Sequence, residues 1–462
     1  MALSTDIIVK EAELFFLPIA TRVPLKFGAQ IVTQVTCARV RLRVEDGAGR
    51  SAEGWGETPL SVAWVWPADL PWETREERLK SLCVAIGRAL VAGRDSGHPM
   101  ELAHRFQRDQ LGALVRENAP AGSSSVAVPH LAALLCHSLF DLATFDAFAT
   151  LHARQVFACF DRDLLSTDLA AFLEPRTAFA QKWPAQFLTA RVQRLPVWHL
   201  VGGLDPISAS DLTGSEPKDA YPVLLRDWIR TDGLRCLKIK LCGNDDAWDY
   251  ERIAGVGRIA IEENCAWLSA DFNCTVTDPE YVNGIVDRVR RDAPAIDRML
   301  LYIEQPFPYD LEANRIDVRS VSARKPLFLD ESAHDWRYVR LGRELGWSGV
   351  ALKTCKTLTG AVLSLCWART HAMQLMVQDL TNPMLAQIPH LLLAAHAGTM
   401  MGVESNAMQF YPEASMAEAV VHPGIYRRRQ GVVDLETLGD VGFGYRVDEI
   451  GRLLPPRAAH FG

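Results

Sequence analysis

The sequence predicts an α/β protein in two parts, an α+β unit followed by a parallel β/α barrel. Three observations lead there. Up to about residue 151 the strand-like runs come first and the helical runs after, the segregated order of an α+β layer arrangement. Beyond Asp205, strand-like and helical runs alternate through eight strands in about 200 residues, the low end of the size of a (β/α)8 barrel. Several of those strands end in an acid or a lysine, and the strand ends are where such a barrel carries its chemistry.

In the first part, residues 6–16 and Thr33–Val44 read as strands, with Asp46-Gly-Ala-Gly as the hairpin turn after the second. Gly54-Trp-Gly-Glu57 closes a third strand. Its glycines let the backbone bend, and Glu57 either serves a site or faces water. Glu76–Ala92 and Met100–Leu114 have helical period, and residues 120–125 read as a loop. Pro129–Leu151 is apolar with small residues and reads as a buried helix. The stretch 152–203 carries apolar clusters at helical spacing, such as Asp168–Leu173, and no motif. We expect a capping unit over 1–195 with an atypical insert at about 152–195. A barrel over 196–420 and a tail over 421–462 that returns to the first unit complete the division.

The expected barrel strands are 206–212, 236–242, 267–273, 300–306, 326–332, 349–354, 374–380 and 399–405. The expected helices are 218–231, 245–261, 278–291, 311–323, 335–345, 360–370 and 384–397. In the tail, Gly424–Arg428 and Gly442–Tyr445 have strand and turn character.

Composition excludes several classes. With 49 basic and 56 acidic residues the formal charge is −7, which gives nucleic acid or an anionic membrane no electrostatic attraction. Ten cysteines are scattered without a CxxC pair, so neither a zinc ribbon nor a redox dithiol is expected. No secretory core is evident in residues 1–10, and no apolar run reads as long enough to span a bilayer. A cytoplasmic setting is expected.

Cys236-Leu-Lys-Ile-Lys-Leu-Cys242 is a short apolar strand with lysines on alternate positions. Residues two apart on a strand share a face, so Lys238 and Lys240 look into one cavity. Mutual repulsion and burial both push a lysine toward its neutral, basic form. Asp271, Glu304 and Asp330 stand 33 and 26 residues apart, about one β/α unit each, at successive strand ends. Three buried anions require a cation, and oxygen-only donors favour a hard divalent ion, Mg2+ with Mn2+ as its substitute. Glu331 could replace Asp330, but strand phase favours Asp330. Lys240 and Lys353, on strands two and six, lie nearly across the barrel and can reach opposite faces of a bound carbon acid. Lys356 is the fallback for Lys353. Asn273 lies on the same side as Asp271.

On Lys238-Ile-Lys240, Asp271-Phe-Asn273, Ile303-Glu-Gln-Pro306, Asp330-Glu-Ser332 and Leu352-Lys353, with Gly54-Trp-Gly-Glu57, the chain resembles the enolase superfamily. Within it the likeness is to the branch of mandelate racemase and muconate lactonizing enzyme. The resemblance implies an enolase-like α+β capping domain over a modified TIM barrel, (β/α)7β. It implies Mg2+ held by Asp271, Glu304 and Asp330, stabilising an enediolate formed when a lysine removes the proton α to a carboxylate. A lysine on strand six, rather than a histidine pair on strand seven, resembles the muconate lactonizing subgroup. A homo-oligomer is also implied.

The chain departs from the family's pattern in the long 152–203 stretch, in Gln378-Asp379-Leu380 and in Gly402-Val-Glu404-Ser405-Asn406, which lacks the Asp-x-Asp of similar dipeptide epimerases. Asn273, Glu57, Gln378, Asp379 and Glu404 are the candidate substrate contacts. Loops near Lys26–Gly28 and Glu57–Trp64 are expected to line the distal pocket, with Trp64 and Trp66 on a substrate tail or the barrel rim. His334, His371, His390 and His396 receive no ligand role. The expected function is that of a racemase, epimerase or cycloisomerase acting on a small carboxylate, without nucleic acid or membrane partners. An acid-sugar dehydratase is the alternative. An inactive barrel acting as a binding protein would lack a metal ligand or a base, and none is missing.

Overall fold

The computed structural model describes residues 3–27, 30–118 and 127–462. The expected loop at 120–125 and Gly28 lie outside the described residues. The chain begins with three antiparallel strands, β1 (Ile7–Phe27), β2 (Gln30–Asp46) and β3 (Ser51–Pro59). The β1–β2 hairpin runs from the Ile7–Asp46 pair to the Phe27–Gln30 pair, well beyond the expected 6–16 and 33–44. Pro18 and Pro24 mask the outer half of β1 in the sequence, because proline argues against a strand. A register shift between Ala20 and Leu25 absorbs the irregularity.

Three helices cover this sheet: α1 (Trp72–Ala92), α2 (Pro99–Phe106) and α3 (His130–Leu151). α2 ends before the expected Leu114; its winding widens into a π turn at Gln107–Leu111 and resumes to Glu117. α3 lies directly on β3. A Cβ at Gly54 would stand 2.2 Å from Ala147 N, and one at Gly56 1.9 Å from Leu139 O. Those glycines therefore serve close helix–strand contact rather than a bend. α3 also corrects the expectation about apolar runs. It is 22 residues long and contains an 18-residue window of mean hydropathy 1.4, enough by length and composition to cross a membrane, and that window is wholly buried inside the fold. A helix apolar all round is a core helix when protein covers every side.

The second part is a curled parallel sheet: β4 (Arg194–Val201), β5 (Cys236–Lys240), β6 (Trp267–Asp271), β7 (Leu300–Glu304), β8 (Leu327–Leu329), β9 (Gly349–Leu352), β10 (Gln374–Val377) and β11 (Val403–Glu404). Its order is β10-β9-β8-β7-β6-β5-β4-β11. Met400 N donates to Leu375 O at 2.8 Å, drawing the two edges together. The main outer helices are α4 (Leu225–Asp232), α5 (Asp246–Glu262), α6 (Pro279–Asp292), α7 (Trp336–Leu345), α8 (Leu358–Thr370) and α9 (Gln387–Ala397). The α/β class with an enolase-like cap and barrel is the observed fold.

Three elements expected in the barrel differ. The first barrel strand is β4, not 206–212. Buried on both faces, β4 shows no alternation. Residues 206–212 instead form a turn in which Asp211 Oδ2 accepts from Ile207 N and Ser208 N at 3.0 and 2.9 Å. The 218–231 helix starts only at Leu225, three residues past Pro222. Of the 311–323 helix only Arg319–Ser322 forms, since Asp310 ties down the backbone N–H groups of Glu312 and Ala313.

The stretch from 152 to 193 straps the outside of the barrel. Trp367 Nε1 of α8 donates to Glu174 O, and Thr189 N to His396 O of α9, each at 2.9 Å. Two strands mark the tail: β12 (Val432–Asp434) lies antiparallel on β4, and β13 (Ala459–Phe461) antiparallel on β1. Where Gly424–Arg428 was expected as strand or turn, Pro423–Tyr426 forms a helical turn.

Candidate active site

The interior of the barrel sets the phase of every strand. Trp198, Cys236, Tyr302, Phe328 and Met376 form one buried cluster, contributed by β4, β5, β7, β8 and β10. Moving two residues toward the C-terminal end keeps a side chain on the same face. From Cys236 that step gives Lys238 and then Lys240; from Tyr302, Glu304; from Phe328, Asp330; from Met376, Gln378. The register aligns Lys240 with Asp271 and Asp271 with Glu304. A layer of charged side chains therefore sits directly above a layer of apolar ones, at the barrel's C-terminal mouth.

The charged layer is one connected cluster. Lys238 Nζ lies 2.6 Å from Glu304 Oε1 and 3.1 Å from both Asp271 Oδ2 and Glu404 Oε2. Lys240 Nζ meets Asp271 Oδ2 at 2.5 Å. Across the mouth, Lys353 Nζ lies 3.2 Å from Asp330 Oδ2 and donates to Asp379 O at 2.8 Å. Lys356 Nζ donates to Asp330 O and lies 3.4 Å from Asp330 Oδ1. Gln378 Nε2 bonds Glu304 Oε2 and, at 3.1 Å, Tyr302 Oη. Asn406 joins Asp379 and Glu404: its Nδ2 donates to Glu404 Oε1 at 2.7 Å and its N to Asp379 Oδ2 at 2.8 Å. Gln305, held at φ +30°, accepts from Asp330 N and Ser332 N and so fixes the loop that carries Asp330.

The charges respond to one another. Burial lowers the affinity of Lys238 for its proton, but Glu304, Glu404 and Asp271 outweigh it and hold the group well above the usual lysine range. Lys353 is likewise raised, against burial, chiefly by Asp330. Burial pulls Lys356 down. Burial, with Asp330 and Asp271 beside it, pushes Glu331 up to about 7. Asp271 is lowered despite its burial, by Lys240 and Lys238. The expectation that neighbouring lysines depress one another is thus reversed at Lys238, which sits among acids.

The donor set suits a hard divalent cation. Asp271, Glu304, Asp330, Glu331, Asp379 and Glu404 are all buried, six carboxyl groups against four buried lysines, and burial with neighbouring acids pushes Glu304 and Glu404 up as it does Glu331. Among the described residues, the buried Glu331 Oε2 has no hydrogen-bond partner. Lys238 Nζ is wedged between Asp271 and Glu304. Among the described residues, the one group of three or more His, Cys, Asp or Glu residues whose ligand atoms all lie within 4.8 Å of one another is Glu11, Glu13 and His460 on the outer sheet.

Of the expected site residues, the structure brings Lys238, Lys240, Lys353, Asp271, Glu304, Asp330, Gln378, Asp379 and Glu404 into this cluster. Asn273, at φ +51°, stands at its edge, lining with Lys240 a cleft of about 510 Å3. Glu57 is elsewhere. It is buried against Arg39, which also reaches Glu418 Oε1 at 3.5 Å, and its Oε1 accepts from Ala386 N at 3.4 Å. The substrate-contact reading of Glu57 is corrected to an ion pair joining sheet, barrel and tail.

Tyr302, Gln305 and Asn406 complete the cluster without having been expected in it, and Lys356, expected only as the fallback for Lys353, and Trp64, expected on a substrate tail or the barrel rim, join it as well. Lys356 stands three residues after Lys353 at the same strand end, and both lysines reach Asp330. Trp64 Nε1 donates to Glu331 Oε1 at 3.0 Å, and its ring lies 5.3 and 5.6 Å from the Lys353 and Lys356 ammonium groups. Trp66 is buried and its carbonyl accepts from Arg75. Of the histidines, His390 Nε2 bonds Glu404 O at 2.7 Å, His396 Nδ1 bonds Thr189 O, His371 stacks on Trp367, and His334 is buried with neither nitrogen bonded.

Residues 221–450, just under half of the chain, match the model of the family described as Enolase C-terminal domain-like. Solved structures share the whole architecture. An N-succinyl Arg/Lys racemase from Bacillus cereus is 16% identical, with a TM-score of 0.63 over 98% of this chain and 99% of that one. A muconate lactonizing enzyme from Pseudomonas fluorescens, complexed with muconolactone, is 15% identical, with a TM-score of 0.61 over 95% and 96%. A dipeptide epimerase from Cytophaga hutchinsonii, complexed with Mg and the dipeptide D-Ala-L-Val, is 15% identical, with a TM-score of 0.59 over 87% and 88%. At these identities the likeness is one of fold. Comparison with curated protein sequences gives no match.

Proposed function

We propose that the chain is a Mg2+-dependent isomerase of the muconate lactonizing type, a racemase, epimerase or cycloisomerase that moves the proton α to a carboxylate. The observation that carries this reading is the placement of two lysines on opposite sides of one acid cluster. Lys240 ends β5 beside Asp271, and Lys353 follows β9 beside Asp330. Lys240 takes the proton from one face of the substrate carbon and Lys353 returns one to the other face. Asp271, Glu304 and Asp330 would hold the cation, which supplies positive charge for the substrate carboxylate as electrons are released at carbon. Lys238 spans Asp271, Glu304 and Glu404 and keeps the three acids in register beside Lys240. The relatives that are racemases and epimerases of similar fold support the same chemistry.

Isomerisation is favoured over dehydration because Asp379 and Glu404, the acids nearest strands seven and eight, are engaged by Asn406 and Lys238. The test is incubation with Mg2+ in heavy water of pooled N-acyl amino acids, dipeptides and sugar acids, read by NMR and mass. Deuterium at an α-carbon with the elements of water retained is the expected result. Loss of water would move the assignment to a dehydratase.

A further inference from the structure

Lys240 is the last residue of β5, so its place depends on the chain that follows it. Leu241 N still keeps to the sheet and donates to Asp271 O at 2.8 Å. Beyond it the ladder ends, and the next two backbone N–H groups need acceptors elsewhere. One buried carboxylate takes both. Asp249, in the first turn of α5, accepts from Cys242 N through Oδ1 at 2.7 Å and from Gly243 N through Oδ2 at 2.9 Å.

The same carboxylate reaches the neighbouring β/α unit. Tyr281 Oη of α6 donates to Asp249 Oδ2 at 2.8 Å. The Tyr281 ring stands edge-on to Phe272, the residue after Asp271, with centroids 6.3 Å apart. Gly243 draws the two strand ends together. It sits at φ +71°, and a Cβ there would stand 1.8 Å from Thr275 Oγ1 of the chain leaving β6, so only glycine fits. Asp249 thus ties the chain leaving Lys240 to the chain leaving Asp271, the two residues whose side chains meet at 2.5 Å. Cys242, Asn244, Asp245 and Trp248 of this turn line the cleft of about 510 Å3 beside Lys240, and Asp249 is wholly buried behind them. A site group is only as well placed as the side chains and hydrogen bonds that back it, and a misplacement of about 1 Å costs about 10^2-fold in rate.

We infer that Asp249 is the positioning residue for Lys240: by holding the two N–H groups that follow the strand end, it keeps the Lys240 ammonium aimed at one face of the reacting carbon. The inference rests on the isomerase reading for the proton that Lys240 moves. Asp249 acts through the backbone and takes no part in proton transfer.

Two variants of the full chain test it. Asp249→Asn keeps the volume and one acceptor oxygen, and Tyr281→Phe removes only the third donor. Circular dichroism checks the fold of each. The first readout is α-deuterium uptake from heavy water, in Mg2+, by each enantiomer of a turned-over substrate. The enantiomer that Lys240→Ala fails to exchange should exchange about tenfold more slowly in Asp249→Asn, with KM within about twofold of native. Its mirror image should exchange at the native rate. Tyr281→Phe should show the same asymmetry with a smaller factor, and it carries the test alone should Asp249→Asn not fold. The second readout needs no substrate. Reductive methylation with formaldehyde and cyanoborohydride, mapped by mass spectrometry, should label Lys240 about fivefold faster in Asp249→Asn, where its ion pair is loosened, and Lys353 at the native rate. A loss shared equally by both enantiomers, or native labelling of Lys240 in both variants, would overturn the proposal. Faster labelling of Lys240 in a protein that exchanges no substrate counts against the isomerase reading alone.

Discussion

Lys238 Nζ lies 2.6 Å from Glu304 Oε1, and both side chains are almost wholly buried. A fully buried pair of this kind is costly to halve. Removing one partner leaves an uncompensated charge, typically at a cost of about 3–5 kcal/mol. Lys238→Met should destabilise the fold by that order in denaturant melts without metal. Mg2+ should restore part of the loss by binding the folded state alone. A Lys238→Met variant as stable as the native protein, with or without Mg2+, would remove Lys238 from its assigned position among the acids.

Glu57 belongs to a second buried network with Arg39, Glu418 and Arg452. Glu57→Ala should cost about 3–5 kcal/mol of stability by the same physics. It should leave Mg2+ affinity unchanged, because Glu57 makes its contacts outside the lysine–carboxylate cluster. Calorimetric titration of Mg2+ separates the two effects. A large loss of metal affinity at unchanged stability would return Glu57 to the site.

Asp141 of α3 accepts from Thr359 N and Thr359 Oγ1, each at 2.9 Å, three residues past Lys356. Burial pushes its carboxyl from 3.8 up to about 7, while the bonds from Thr359 pull the other way. Between those values the folded chain holds a proton that the unfolded chain releases. The stabilising contribution is thus complete below about pH 4 and is lost as pH rises through about 7. Asp141→Asn should flatten this slope and gain up to about 4 kcal/mol over the native protein by pH 8. Urea melts at pH 5 and 8 measure it. Identical slopes for the two proteins would contradict the burial account. Asp146, also pushed up to about 7, leaves a residual slope in both.

Much of the site was legible because a barrel strand shows its ends. The Lys238–Lys240 alternation lies within β5, and Asp271 and Glu304 are the last residues of β6 and β7, so strand phase alone points them inward. What was not legible depended on partners distant in the chain. Nothing local tells that Arg39, 18 residues before Glu57, claims its carboxylate across the β2–β3 pair. Gly54 and Gly56 read as a flexible spot until α3 is seen lying on them. β4 was missed because a strand buried on both faces loses its period, whereas the Ser and Asp residues of 206–212 mimic alternation while making a turn.

The central claim is that Lys240 and Lys353 each serve one face of the same carbon. It is tested most directly by α-deuterium uptake from heavy water by each enantiomer of a turned-over substrate, in Lys240→Ala and Lys353→Ala. Each variant should lose isomerisation by a factor of about 10^2–10^4. Each should still exchange one enantiomer, and the two should retain opposite ones. Retention of the same enantiomer by both variants, or full isomerisation by either, would contradict the two-lysine account.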